Sequence, residues 1–336
     1  MDRWASLTTR EQFSIALDVA RRRGLKLCSI IDNVVSVGAG YRSRGTSPMP
    51  TSEVCLRFLV RRKWSDRRAR AQKIPEFIAA YVVVKGRRVR VRVPTDVSAY
   101  STGGPQAMLN LTSGVTSQRD GIDLEFGSPC CAVRNSNLPV ELYLLTCHHV
   151  LDPQMAVPMA AGRGCLRSSD RLSIGGLASV ADVDSSRGLD AALVRIVDPT
   201  VDVVSIWGRR PITKATDFDI EMLHERGALR LLCRELAPAA DGLPASQRTE
   251  PLSVTFQSLF PNPHTFDYRQ SAGRFIDFSD TIQYVGGVRA GDSGSALIDD
   301  AGMLYGMHFY GEDNVGFAMS AARIFDPDVF ALDISL

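Results

Sequence analysis

The segment Gly291-Asp292-Ser293-Gly294-Ser295-Ala296-Leu297 constrains this chain more than any other. It sets a serine in a turn bounded by glycines and runs straight into an apolar stretch. A serine hydroxyl is a poor nucleophile until a base takes its proton. Glycines on both sides let the backbone bend tightly. The N–H groups of Gly291 and Ser293 can then point at one developing oxyanion. Asp292 reads as a carboxylate that braces this turn. An ordinary turn serine would look the same, so the residues upstream decide the matter.

Two upstream segments supply the missing chemistry. An apolar strand, Val140 to Leu145, runs into Thr146-Cys147-His148-His149-Val150-Leu151 and halts at Asp152-Pro153. Further on, Leu189-Asp190-Ala191-Ala192-Leu193-Val194 puts an acid at the mouth of another apolar strand, where a buried carboxylate can hold an imidazole. Asp182 and Asp184 compete for that role. They alternate with apolar residues, which predicts a shared, solvent-facing side of a strand. The order along the chain is His, Asp, Ser. A triad on a double β-barrel runs in this order, whereas subtilisin-type and α/β-hydrolase triads run in others.

These segments resemble the trypsin-like, or chymotrypsin-fold, serine proteases. Thr146-Cys147-His148-His149 resembles the family's Thr-x-x-His element, which selects His149 as the base and leaves His148 as a neighbour expected near solvent. Asp190-Ala191-Ala192-Leu193 resembles Asp-x-Ala-Leu, and Gly291-Asp292-Ser293-Gly294-Ser295 resembles Gly-Asp-Ser-Gly-Gly/Ser. Gly306-Met307-His308-Phe309-Tyr310-Gly311 stands where the family keeps the strand lining the primary specificity pocket, and Gly316-Phe317-Ala318-Met319 resembles the strand after it. The resemblance covers roughly residues 121 to 336. It implies a serine endopeptidase with catalytic His149, Asp190 and Ser293, an oxyanion hole of Gly291 and Ser293, and no metal or cofactor. It also puts Gly287 at the base of the pocket, where a carboxylate would select Arg or Lys; glycine argues against that preference. His308 matches a pocket histidine of staphylococcal-type glutamyl endopeptidases. Protonated, it would pair with an acidic substrate side chain; otherwise it packs the barrel.

The expected fold class is mainly β: a chymotrypsin-like double β-barrel preceded by a small α+β N-terminal domain. Thr8-Thr9-Arg10-Glu11 predicts a capped helix with Phe13, Ala16, Leu17 and Ala20 on one face and a stop at Gly24. Strands are predicted at Val34 to Tyr41, Glu53 to Val60, Tyr81 to Val84 and Arg88 to Val93. The resulting division is an accessory unit over 1–97, a Ser/Thr/Gly-rich linker over 98–120 and a protease domain over 121–336. An insertion near 212–250 is helix-compatible from Ile220 to Arg226 and could cover the cleft. A helix-plus-strands unit before such a barrel is similar to intracellular bacterial trypsin-like peptidases.

Seven cysteines show no C-x-x-C metal pair, and Val150 stands where secreted relatives carry a disulfide cysteine after the histidine. With no apolar run of about 18 residues and no signal-like amino terminus, the expectation is a cytoplasmic protein with reduced cysteines. From Arg57 to Arg92 basic residues far outnumber the two acids, Asp66 and Glu76. This segment is either a solvated face or a grip for nucleic acid. No aromatic stacking pattern accompanies it, apart from Trp64. The expected partner is a protein or peptide substrate, with no membrane.

Overall fold

The computed structural model describes residues 3–43, 49–61, 74–84, 86–99, 104–105, 115–119, 122–152, 164–167, 173–182, 184, 188–197, 213–226, 228–232, 251–268, 273–289, 291–312, 314–330 and 332–336. Helix α1 (Thr9–Ile30) opens on the predicted capping box: the Glu11 N–H donates to Thr8 Oγ1 at 3.3 Å and the Thr8 N–H donates back to Glu11 Oε2 at 2.8 Å. It does not stop at Gly24. That glycine serves packing instead. A Cβ there would lie 2.4 Å from Asn262 Nδ2, and the Asn262 amide donates to Ala20 O at 2.6 Å. Phe13, Leu17, Ala20 and Leu27 are buried against strands β1 (Val34–Ser43) and β2 (Pro50–Val60). Each large apolar side chain so buried contributes roughly 1.5–3 kcal/mol. Strands β3 (Phe77–Val84) and β4 (Arg87–Ala99) form the predicted hairpin, turned at Gly86 with φ 74°.

The chain continues through β5 (Gly104–Pro105), β6 (Val115–Arg119), β7 (Ile122–Gly127), β8 (Cys131–Asn135) and β9 (Leu142–Thr146) to a short helix α2 (His148–Leu151). Then come β10 (Gly164–Arg167), β11 (Ser173–Val180), β12 (Ala192–Ile196), β13 (Thr213–Lys214), α3 (Asp217–Glu221) and β14 (Leu229–Leu232). The remaining elements are β15 (Leu252–Phe260), β16 (His264–Tyr268), β17 (Arg274–Phe278), β18 (Thr281–Val285), β19 (Ala296–Ile298), β20 (Met303–Glu312), β21 (Val315–Ser320), α4 (Ala321–Ile324) and β22 (Ile334–Ser335).

Two sheets position the site. One runs β22–β8–β9–β12–β11–β10–β6–β7. The other contains β14–β19–β20–β21–β18–β15, and β14 pairs back onto β15 at Leu229↔Val254, which closes a barrel. The fold is mainly β and chymotrypsin-like, with a helix at its N-terminus. Strand β15 also carries the N-terminal strands: β1 pairs with it at Ala39↔Leu259 and Gly40↔Ser258. A Cβ on Gly40 would lie 2.2 Å from Gln257 O, so this approach needs glycine. The division at 97 and 121 thus falls across one continuous sheet. Pieces of the expected linker are strands β5 and β6, and the rest of it lies outside the described residues.

The described part of the expected insertion lies on α1. Thr216 caps α3, accepting from the Asp219 N–H at 3.3 Å. Glu221 pairs with Arg21 at 2.6 Å, and His224 stacks on Phe13 with ring centroids 4.1 Å apart. Residues 233–250 lie outside the described set. No described helix is long and apolar enough to cross a membrane.

Candidate active site

Strand β9 ends at Thr146, and the chain turns into α2 with His149 fully buried. Asp190 sits two residues before β12, also fully buried. Because β9 and β12 pair directly at Ala192↔Thr146, the two side chains meet. His149 Nδ1 is hydrogen-bonded to Asp190 Oδ2, and the His149 N–H donates to Asp190 Oδ1 at 3.0 Å. The Asp190 N–H donates to Met319 Sδ at 3.1 Å.

Tyr268, on β16, completes this carboxylate's environment. Its hydroxyl donates to Asp190 Oδ2 at 2.7 Å, and its ring stands edge-on to His149 with centroids 5.9 Å apart. Burial alone would push the Asp190 carboxyl up. The His149 imidazole, its hydrogen bonds and the Tyr268 hydroxyl together hold it below its ordinary value. Burial and the Asp190 charge push the Tyr268 hydroxyl well above its own.

Ser293 comes from the other sheet, in the turn before β19. Gly291 and Gly294 both have φ 95°, a conformation that favours glycine. The Asp292 carboxylate accepts the Arg289 N–H at 2.9 Å, the bracing role its position suggested. Ser128 clamps the turn from the first sheet. Its N–H donates to Ser293 O at 2.7 Å and its hydroxyl to Gly291 O at 3.0 Å. Gly127 marks the contact between the two halves: a Cβ there would lie 2.3 Å from Val150 Cγ2 and 2.7 Å from Ser293 O. The serine turn and the His149 corner therefore face each other across Gly127. Ser293 Oγ and His149 Nε2 are both buried, and among the described residues neither has a hydrogen-bond partner.

Several sequence expectations need correction. His148 is fully buried rather than near solvent, and burial lowers its pKa against the opposing charges of Asp190 and Asp152. Asp182 and Asp184 are exposed as expected but follow the end of β11 rather than lying on a strand; Asp184 accepts two 2.9 Å hydrogen bonds from Arg274. His308 is fully buried on β20. Its Nδ1 is hydrogen-bonded to the Tyr284 hydroxyl at 2.5 Å, and burial, aided by His149, pushes its pKa down to about 3. It is neutral across the physiological range and supplies no cation. Among the described residues, no atom lies within 4 Å of where a Cβ on Gly287 would stand.

Cys147 Sγ, His149 and Asp190 offer ligand atoms within 4.8 Å of one another. These atoms are engaged otherwise. The Cys147 thiol donates to His308 O at 3.2 Å, and burial raises its pKa well above the ordinary value. Cys28, Cys55, Cys130, Cys131 and Cys147 are free.

The basic segment is split by the fold. Arg57 is fully buried and paired with Asp96 at 2.7 Å, so it belongs to no exposed face. Arg88 and Arg92 lie over the rings of Tyr81 and Phe77 at 4.6 and 4.4 Å, aromatic partners the linear sequence did not single out. Of the densest basic parts, Arg61-Arg62-Lys63 and Arg67-Arg68-Ala69-Arg70, all but Arg61 lie outside the described residues, as does Trp64.

Fold and site together define a chymotrypsin-like architecture: a histidine and an aspartate from one sheet face a serine turn from a closed barrel. No family model and no curated protein matches the chain. Among solved structures it is similar to the active form of the Rv3671c protease from M. tuberculosis, with 15% identity and TM-score 0.38 over 66% of this chain and 82% of that one. The inactive form of the same protease matches at 12% identity and TM-score 0.34, over 64% and 86%. Nocardiopsis protease (NAPase) matches at 13% identity and TM-score 0.37, over 68% and 99%. Scores of this size decide nothing about chemistry.

Proposed function

We propose that the chain is a serine endopeptidase that cleaves peptide bonds through an acyl-enzyme intermediate. The observation that carries this reading is the His149–Asp190 pair beside two buried, unpartnered atoms, His149 Nε2 and Ser293 Oγ. With Nδ1–H held by the carboxylate, the Nε2 lone pair is the one free to accept a proton. His149 takes the proton of Ser293 as Oγ attacks the peptide carbonyl. The N–H groups of Gly291 and Ser293 receive the oxyanion. His149 then protonates the departing amine, the C–N bond breaks, and water repeats the cycle on the ester. Proteomic identification of cleavage sites with wild type against Ser293→Ala tests the reading; identical peptide termini from the two proteins would reject it.

Tyr268 acts through Asp190 as a positioning residue. The titratable groups around that carboxylate are His149, His148, Cys147 and Tyr268, with Tyr310 beyond Tyr268. Tyr268→Phe removes one donor that stabilises the carboxylate, so the Asp190 pKa rises. A carboxyl held low is ionised, and useful, down to its depressed pKa and is lost as the pH falls through it. In Tyr268→Phe that loss begins at a higher pH. We expect kcat to fall roughly tenfold, as losing one hydrogen bond to a charged group would produce, with KM unchanged and the acid limb of the pH–rate profile displaced upward. A lower kcat with the acid limb in place would make Tyr268 merely structural.

For the pocket, Gly287 brings no fixed charge and His308 is neutral. Cleavage after small or apolar residues is expected, with no acidic preference emerging between pH 5 and 8. A peptide library read at two pH values checks this. Dominant cleavage after Arg or Lys, or an acidic preference lost in His308→Ala, would contradict it.

A further inference from the structure

Strand β20 is paired along one edge by β21, from Gly306↔Ser320 to Glu312↔Val315. β13 continues that edge at Met303 and Leu304. The other edge is paired by β19, from Ile298↔Leu304 to Ala296↔Met307. β19 begins at Ala296 because the chain before it is the serine turn. The same edge of β20 continues past that turn, from His308 to Glu312. Any strand added there must abut Ser293, since the Gly294 N–H already donates to His308 O at 2.8 Å. The chain lays its own Gly104–Pro105 on this stretch, antiparallel, as Tyr310↔Pro105 and Gly311↔Gly104.

We propose that Gly104–Pro105, laid on the edge of β20 that leads to Ser293, is a tethered competitor that keeps peptide off this edge in the folded resting chain. The inference rests on the endopeptidase reading and adds how its site is kept shut. An extended peptide gains main-chain hydrogen bonds by adding to a strand edge, and here the edge leads to the nucleophile. Ser293 and His149 are both 0% exposed, so the site as folded admits no peptide carbonyl. A competitor within the same chain acts at high effective concentration. Pro105 has a fixed φ and no N–H, so seating the segment costs little conformational entropy.

The test uses the full chain and Gly104→Pro, which deletes the N–H of the residue facing Gly311. Hydrolysis of a short fluorogenic peptide is measured together with amide hydrogen exchange over residues 308–312. A tethered competitor lowers the fraction of competent sites and raises apparent KM by the same factor. The variant should show KM lower by about fivefold or more, kcat unchanged, and faster exchange at Tyr310 and Gly311. Pro105→Gly, which only loosens the segment, should move KM the same way by less. Unchanged kcat/KM in both variants, with an active wild type, overturns the competitor and leaves the endopeptidase standing. Unchanged exchange at Tyr310 and Gly311 overturns it whatever the activity. If neither wild type nor variant hydrolyses peptide and Ser293 reacts with no fluorophosphonate, the endopeptidase reading fails and takes this inference with it.

Discussion

Ser293→Ala and His149→Ala are each expected to abolish peptide hydrolysis, at a cost of about 10⁴-fold or more in kcat. The two residues act as one unit, so the double variant should lose little beyond either single one. His148→Ala is the control. His148 is buried beside the site, so its loss is expected to lower the melting temperature while folded enzyme keeps most of its turnover. Steady-state kinetics normalised to active folded protein checks all three. A dead His148→Ala with an active His149→Ala would exchange the two histidines' roles.

Gly294→Ala is expected to damage the fold itself. Its φ of 95° is strained for any residue with a Cβ, and that Cβ would stand 1.8 Å from Ser128 O and 2.7 Å from Thr146 Oγ1. Neither the backbone carbonyl nor the clamped turn has room to yield. Strain of this kind costs on the order of 1–3 kcal/mol before the collision is counted. The clash would also part the Ser128 clamp from Ser293. The expected outcome is a large fall in melting temperature and little soluble protein. Gly287→Ala gives the contrast: no described atom lies within 4 Å of its Cβ position, so its melting temperature should match wild type. Equal melting curves for Gly294→Ala and wild type would show that the turn is not held as described.

Much of this site was legible in the sequence because its residues sit where apolar strands end. Asp190 precedes β12, His149 follows β9, and pairing of those strands brings the side chains together without a long-range guess. The glycine pair around Ser293 was readable for a similar reason, since positive φ at Gly291 and Gly294 leaves few other residues eligible. Tyr268, Gly127 and Ser128 were not legible in these roles. Their parts depend on contacts between strands far apart in the chain, and a tyrosine on β16 looks like any core aromatic until the fold sets its hydroxyl on Asp190. Gly24 misled for the same reason: a helix stop in local terms, it is a docking notch for Asn262. The junction of the N-terminal strands with the barrel also escaped, because β1 and β15 pair across more than two hundred residues of chain. His308 was placed correctly on its strand, but burial and the Tyr284 hydroxyl remove the charge its residue type suggested.

The most direct measurement is covalent labelling with a fluorophosphonate, read by intact mass and peptide mapping. Such a probe phosphonylates only a serine whose proton a neighbouring base removes. The endopeptidase reading requires one adduct per chain, on Ser293, absent in Ser293→Ala and strongly slowed in His149→Ala and Asp190→Asn. Labelling that spares Ser293 in both the wild type and Gly104→Pro, or that persists at the same rate without His149, would contradict it.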